Sequence, residues 1–69
     1  MPGKNNLRAI RKARGLTQSQ LSLYSRVHQP DISRIESDRI KPWPAAMIRL
    51  ASALCMELSD IFPEIKKND

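Results

Sequence analysis

The stretch that most restricts this chain is Thr17–Glu36, TQSQLSLYSRVHQPDISRIE. Thr17 is a good N-cap, and Gln20, three residues on, stands where a reciprocal capping-box side chain belongs. Leu16 and Leu21 occupy the two staple positions around that cap. A short helix is expected from here to about Tyr24–Ser25. A second helix is expected from near His28, because Pro30 is tolerated only in a first helical turn, where its missing N–H costs nothing. Ile32 and Ile35 then fall at i, i+3 on an inward stripe, which leaves Gln29, Ser33, Arg34 and Ser37 on the other side. Two short helices around a tight turn, the second with a polar outer face, form a unit that a DNA major groove accepts.

Net charge is +5 over 69 residues, and it is unevenly placed. Residues 1–49 hold ten Lys/Arg against three Asp/Glu, whereas residues 50–69 hold two against four. A basic front and a mildly acidic back suit a polyanion on one face. One cysteine excludes an intramolecular disulfide, and no long apolar run is present, so a soluble cytoplasmic protein is expected. The single histidine and single cysteine give no metal spacing. With no Ser/His/Asp set and no glycine-rich phosphate loop, neither an enzyme nor a cofactor is expected.

Taken in order, Met1–Lys4 reads as a loose leader, residues 5–62 as one small domain and residues 63–69 as a tail. Asn5 or Asn6 is placed to cap a first helix with apolar positions Leu7, Ile10 and Ala13; Arg8, Lys12 and Arg14 face outward. Gly15 ends that helix in the left-handed conformation. Pro44 opens a fourth helix, whose core stripe is Met47, Leu50, Ala51 and Leu54. A last short helix spans Leu58–Phe62 and stops at Pro63. Five short helices without a strand make an all-α fold.

The residues Leu16-Thr17-Gln18, Leu21, Val27 and Ile32-Ser33-Arg34-Ile35-Glu36 resemble the helix-turn-helix of the phage Cro/repressor family, also called XRE-like. The flanks Leu7–Gly15, Lys41-Pro42, Leu50–Leu54 and Leu58–Phe62 are similar as well. The resemblance covers roughly residues 5 to 62 and implies a lambda-repressor-like domain with its second and third helices as the DNA-reading pair. It further implies that Arg11 pairs with Glu36, and that Gln18 donates to a DNA phosphate. By position, His28, Gln29, Pro30, Ser33 and Arg34 become the groove-facing set. In that set Gln29 suits adenine and Arg34 suits guanine, each bidentately. Asp31 either accepts from cytosine N4 or stabilises the positive end of its own helix. Ser37, Arg39 and Lys41 are expected at the phosphate backbone.

The resemblance also implies pairing through the far end of the domain. Trp43, Met56, Leu58, Ile61 and Phe62 are the expected homodimer contacts, with Ile65 as a further apolar residue in excess of a small core. Three departures stand out: Arg26, Asp38 and Cys55 occupy slots where the family usually has glycine. Either they carry left-handed strain or those turns differ in geometry. Ser22 replaces a usual alanine, and Ser25 takes a usually apolar slot. The function implied is a small dimeric transcriptional repressor acting on double-stranded DNA at an inverted repeat. The rival is an antitoxin or adaptor whose main partner is another protein.

Overall fold

A computed structural model describes residues 5–63, and within them the chain is helical with no strand. The helices are α1 (Leu7–Ala13), α2 (Gln18–Ser25), α3 (Gln29–Glu36), α4 (Pro44–Leu54) and α5 (Leu58–Ile61). The expected leader and all of the expected tail but Pro63 lie outside the described residues, as does Ile65. Isolated helices shorter than about 12 residues are marginal in water, so each of these depends on its buried side. That side is one shared core: Leu7, Leu21, Ile32, Ile35, Leu50, Leu54 and Ile61 are sealed from solvent, with Val27, Ala46 and Phe62 beside them.

Local chemistry sets the helix starts. Thr17 Oγ1 accepts from the Gln20 N–H at 3.0 Å, and Gln20 Oε1 accepts from the Thr17 N–H at 2.9 Å, which completes the capping box. Pro30 and Pro44 sit in the first turns of α3 and α4. At α5 Asp60 Oδ2 accepts from the Glu57 N–H at 3.2 Å, while the Asp60 N–H donates to the Glu57 backbone carbonyl at 3.0 Å. At α1 the cap is divided. Asn6 holds the N-cap position without a side-chain cap bond, while Asn5 Oδ1 accepts from the Leu7 N–H at 3.0 Å.

Helix ends explain the unusual residues. Just past α1, α3 and α4 a backbone amide reaches back to a carbonyl five positions earlier: Leu16 to Arg11, Arg39 to Arg34, Met56 to Ala51. That arrangement requires a left-handed residue just before it. Gly15 (φ 71°), Asp38 (φ 62°) and Cys55 (φ 55°) fill the slot. Arg26 (φ 65°) ends α2 in the same conformation. The non-glycine residues therefore carry the strain, at about 1 kcal/mol each. Ser22 and Ser25 help to hold the turn after α2: Ser22 Oγ donates to the Val27 carbonyl at 2.7 Å, and Ser25 Oγ accepts from the Val27 N–H at 3.2 Å. Replacing exposed Cys55 by glycine should relieve its strain, raising Tm by about 4–8 °C in a domain of this size. A thermal melt showing no rise would mean that Cys55 sits there without cost.

Three expectations are corrected. Ala13, placed on the buried stripe of α1, is exposed, and buried Arg11 stands in that stripe instead. Phe62 lies just past α5 as its C-cap. Ile61 and Phe62, expected at a dimer surface, are 0% and 4% exposed. They belong to the protomer's own core with Leu7, Leu50 and Leu54, and Asn6 ties the chain start to α5: its N–H donates to the Ile61 carbonyl at 2.8 Å and its Nδ2 to the Asp60 carbonyl at 3.0 Å.

Candidate nucleic-acid interface

The two-sidedness of α3 defines the site. Ile32 and Ile35 have no exposed surface, whereas Gln29, Pro30, Ser33 and Arg34, together with His28 at the N-cap, are open to solvent. Positions 29, 30, 33 and 34 recur at helical spacing, so these side chains share one face. A pair of amide and guanidinium side chains on that face offers the bidentate donors that base edges in a major groove accept.

Arg34 is not a free side chain. Its Nη1 donates to Asp31 Oδ1 at 3.0 Å, one turn back along the helix. The pair is open, with the side chains 52% and 26% exposed, so its contribution to folding is small, at most about 0.5 kcal/mol. Its geometric effect is larger: the long arginine is drawn toward the N-terminal end of α3. Asp31 also lies in the first turn of α3, where a carboxylate meets the positive end of the helix dipole.

A buried cluster fixes the other end of α3. Arg11 Nε donates to Glu36 Oε2 at 2.6 Å and Arg11 Nη2 to Glu36 Oε1 at 3.1 Å, a two-pronged pair whose side chains are 8% and 4% exposed. Arg11 Nη1 donates to the Leu16 carbonyl at 2.7 Å, and Gln18 Nε2 donates to Glu36 Oε1 at 3.1 Å. One carboxylate thus joins α1, the start of α2 and the end of α3. Among the described residues no buried side-chain polar atom lacks a partner. Gln18 braces α3 in this way, and its amide retains a second N–H.

Asn5 adds a further strap that sequence reasoning considered only as a helix cap. Its Nδ2 donates to the Ile35 carbonyl at 2.9 Å, at the last turn of α3. Nothing in a pattern of apolar spacing marks an asparagine thirty residues away as the partner of that carbonyl.

The loop after α3 holds the residues expected at the phosphates. Ser37 is exposed, and its Oγ donates to the Ser33 carbonyl at 2.9 Å. Arg39 and Lys41 are exposed. At the expected dimer surface Trp43 is 42% exposed, while Met56 and Leu58 are half-buried against the core. Leu23, Tyr24 and Ile48, which sequence reasoning did not single out, are more exposed than Trp43.

A short helix with an apolar back and a polar, amide- and guanidinium-bearing front, braced by the capped helix before it, defines a DNA-binding helix-turn-helix domain. Residues 7–61 match a protein-family model described as helix-turn-helix. The match spans most of the chain, and the protein belongs to that family, the Cro/repressor-like XRE proteins, whose members are DNA-binding regulators. Comparison with curated proteins finds no match. No helix among the described residues is long and apolar enough to cross a membrane.

Proposed function

We propose that the protein is a sequence-specific regulator that lays α3 in the major groove of double-stranded DNA and acts as a dimeric repressor. The observation that carries this reading is the division of α3, with Ile32 and Ile35 sealed behind Gln29, Ser33 and Arg34. Gln29 reads adenine and Arg34 reads guanine; His28, Pro30 and Ser33 complete the contacting face, and Pro30 is restricted to apolar contact such as a thymine methyl. Gln18, through its second amide proton, and the N-terminal amides of α2 meet one phosphate. Arg39 and Lys41 meet others. Bound across a promoter, such a protein represses by excluding polymerase.

Selection from random duplex DNA tests the reading. An inverted repeat whose binding weakens steeply with salt is the expected result; a pool without consensus removes the function. Arg39→Ala and Lys41→Ala should each weaken all sequences alike and flatten the slope of log affinity against log salt by about 0.9. An unchanged slope would take that side chain off the phosphates.

Pairing rests on a reduced set, Trp43, Met56 and Leu58, since Ile61 and Phe62 are inside. Two recognition helices about 34 Å apart would then read half-sites one helical turn apart. Sedimentation should give a dimer on DNA that Trp43→Ala weakens. A monomer at tens of micromolar, on and off DNA, removes the dimer.

A further inference from the structure

Among the described residues the three most exposed large apolar side chains lie outside α3. Leu23 and Tyr24 on α2 are 76% and 62% exposed, and Ile48 on α4 is 58% exposed. Scattered exposed apolar residues are ordinary. Tyr24 and Ile48 differ because both line a single groove, together with Arg26, Arg49, Ser52 and Ala53. No carboxylate lines it, and neither α2 nor α4 contains an aspartate or glutamate. Neither arginine belongs to an ion pair among the described residues. The groove is thus apolar in part and positively charged without compensation. Arg26 borders it from a backbone position where glycine would be less strained.

We propose that this groove between α2 and α4 docks an acidic segment of a partner protein. Apolar side chains of the segment would cover Tyr24 and Ile48, and its carboxylates would meet the guanidinium groups of Arg26 and Arg49. Two other occupants fit less well. A DNA strand would satisfy the arginines but leave the apolar surface of Tyr24 and Ile48 in water. A second copy seated symmetrically would bring the same two arginines from each side with no carboxylate between them. The groove accommodates a short segment only, which places the contact in the weak, transient class. None of its lining residues belongs to α3, so the partner and DNA can be held together.

The test uses the full chain bound to its selected DNA and a displayed library of random short peptides. Enriched peptides should combine Asp or Glu with aliphatic or aromatic residues. Their amide-shift perturbations should centre on Tyr24, Ile48, Arg49 and Ser52. Ile48→Asp and Arg49→Glu should each weaken peptide binding by about tenfold or more, with Tm and DNA affinity retained. Both positions are exposed, so the fold should survive, and lysine-for-acid peptides should restore binding to Arg49→Glu. Neutral or basic winners, or indifference to both variants, would overturn the proposal. So would a loss of affinity for all DNA sequences in Arg26→Ala and Arg49→Ala, which assigns the arginines to the DNA backbone. Loss of self-association in Ile48→Asp would assign the face to a second copy.

Discussion

Glu36→Ala should remove about 3–5 kcal/mol of stability, a large part of what a small domain possesses. The loss comes from what the carboxylate leaves behind more than from the attraction it supplied. Arg11 is 7% exposed, and two of its three guanidinium nitrogens donate to Glu36. Alanine would strand that charge in the protein, with the Leu16 carbonyl as its remaining protein partner among the bonds described. Gln18 would lose its acceptor at the same time. Replacing both charged residues by methionine removes the stranded guanidinium and should recover much of the loss, since apolar pairs of similar volume commonly match a buried ion pair. Urea denaturation of the single and double variants checks this. A single-variant loss below about 1 kcal/mol would mean the pair behaves in solution like an exposed one. DNA affinity should fall with Glu36→Ala as well, because the same carboxylate sets the end of α3 relative to the start of α2.

The second large effect concerns reading rather than folding. Arg34→Ala should cost about 1–3 kcal/mol on the selected operator and relax preference at one base pair. Equal binding of all sequences by variant and parent would place the reading face elsewhere. Asp31→Asn makes a sharper test, because two effects have opposite signs. With α3 in the groove as proposed, removing this carboxylate should raise affinity for every duplex by relieving repulsion from the phosphates. Removing the acceptor 3.0 Å from Arg34 Nη1 frees the guanidinium and, if Arg34 reads a base as proposed, should lower discrimination at that base pair. Non-specific affinity should therefore rise while the ratio of specific to non-specific binding falls. Competition binding against random DNA measures both. A uniform gain across all sequences would reduce Asp31 to a repulsive charge, and a uniform loss would reduce it to a helix-end residue. Stability should change little, since the pair is open to solvent.

Much of the architecture was legible residue by residue. Gly15, Thr17 with Gln20, Pro30 and Pro44 each act on the few residues around them, so the end of α1 and the starts of α2, α3 and α4 could be read locally. The inward face of α3 followed from the spacing of Ile32 and Ile35. The Arg11–Glu36 pair came from family resemblance, not from spacing, because no local rule joins side chains twenty-five residues apart. The three non-glycine residues at glycine slots were legible as a conflict; their φ angles resolved it as strain.

What escaped the sequence depended on which of several neighbours covers a given side chain. Ile61 and Phe62 look the same in sequence whether they close their own core or another protomer's. Their place in the core shared by the helices decides the matter. Tyr24 and Ile48 sit in ordinary helical patterns, and only the packing of α2 against α4 places them beside one another. Turn, cap and period are short-range properties and were already written in residue order. Coverage, pairing and shared grooves are long-range properties, and they came into being only when the five helices closed on a common core.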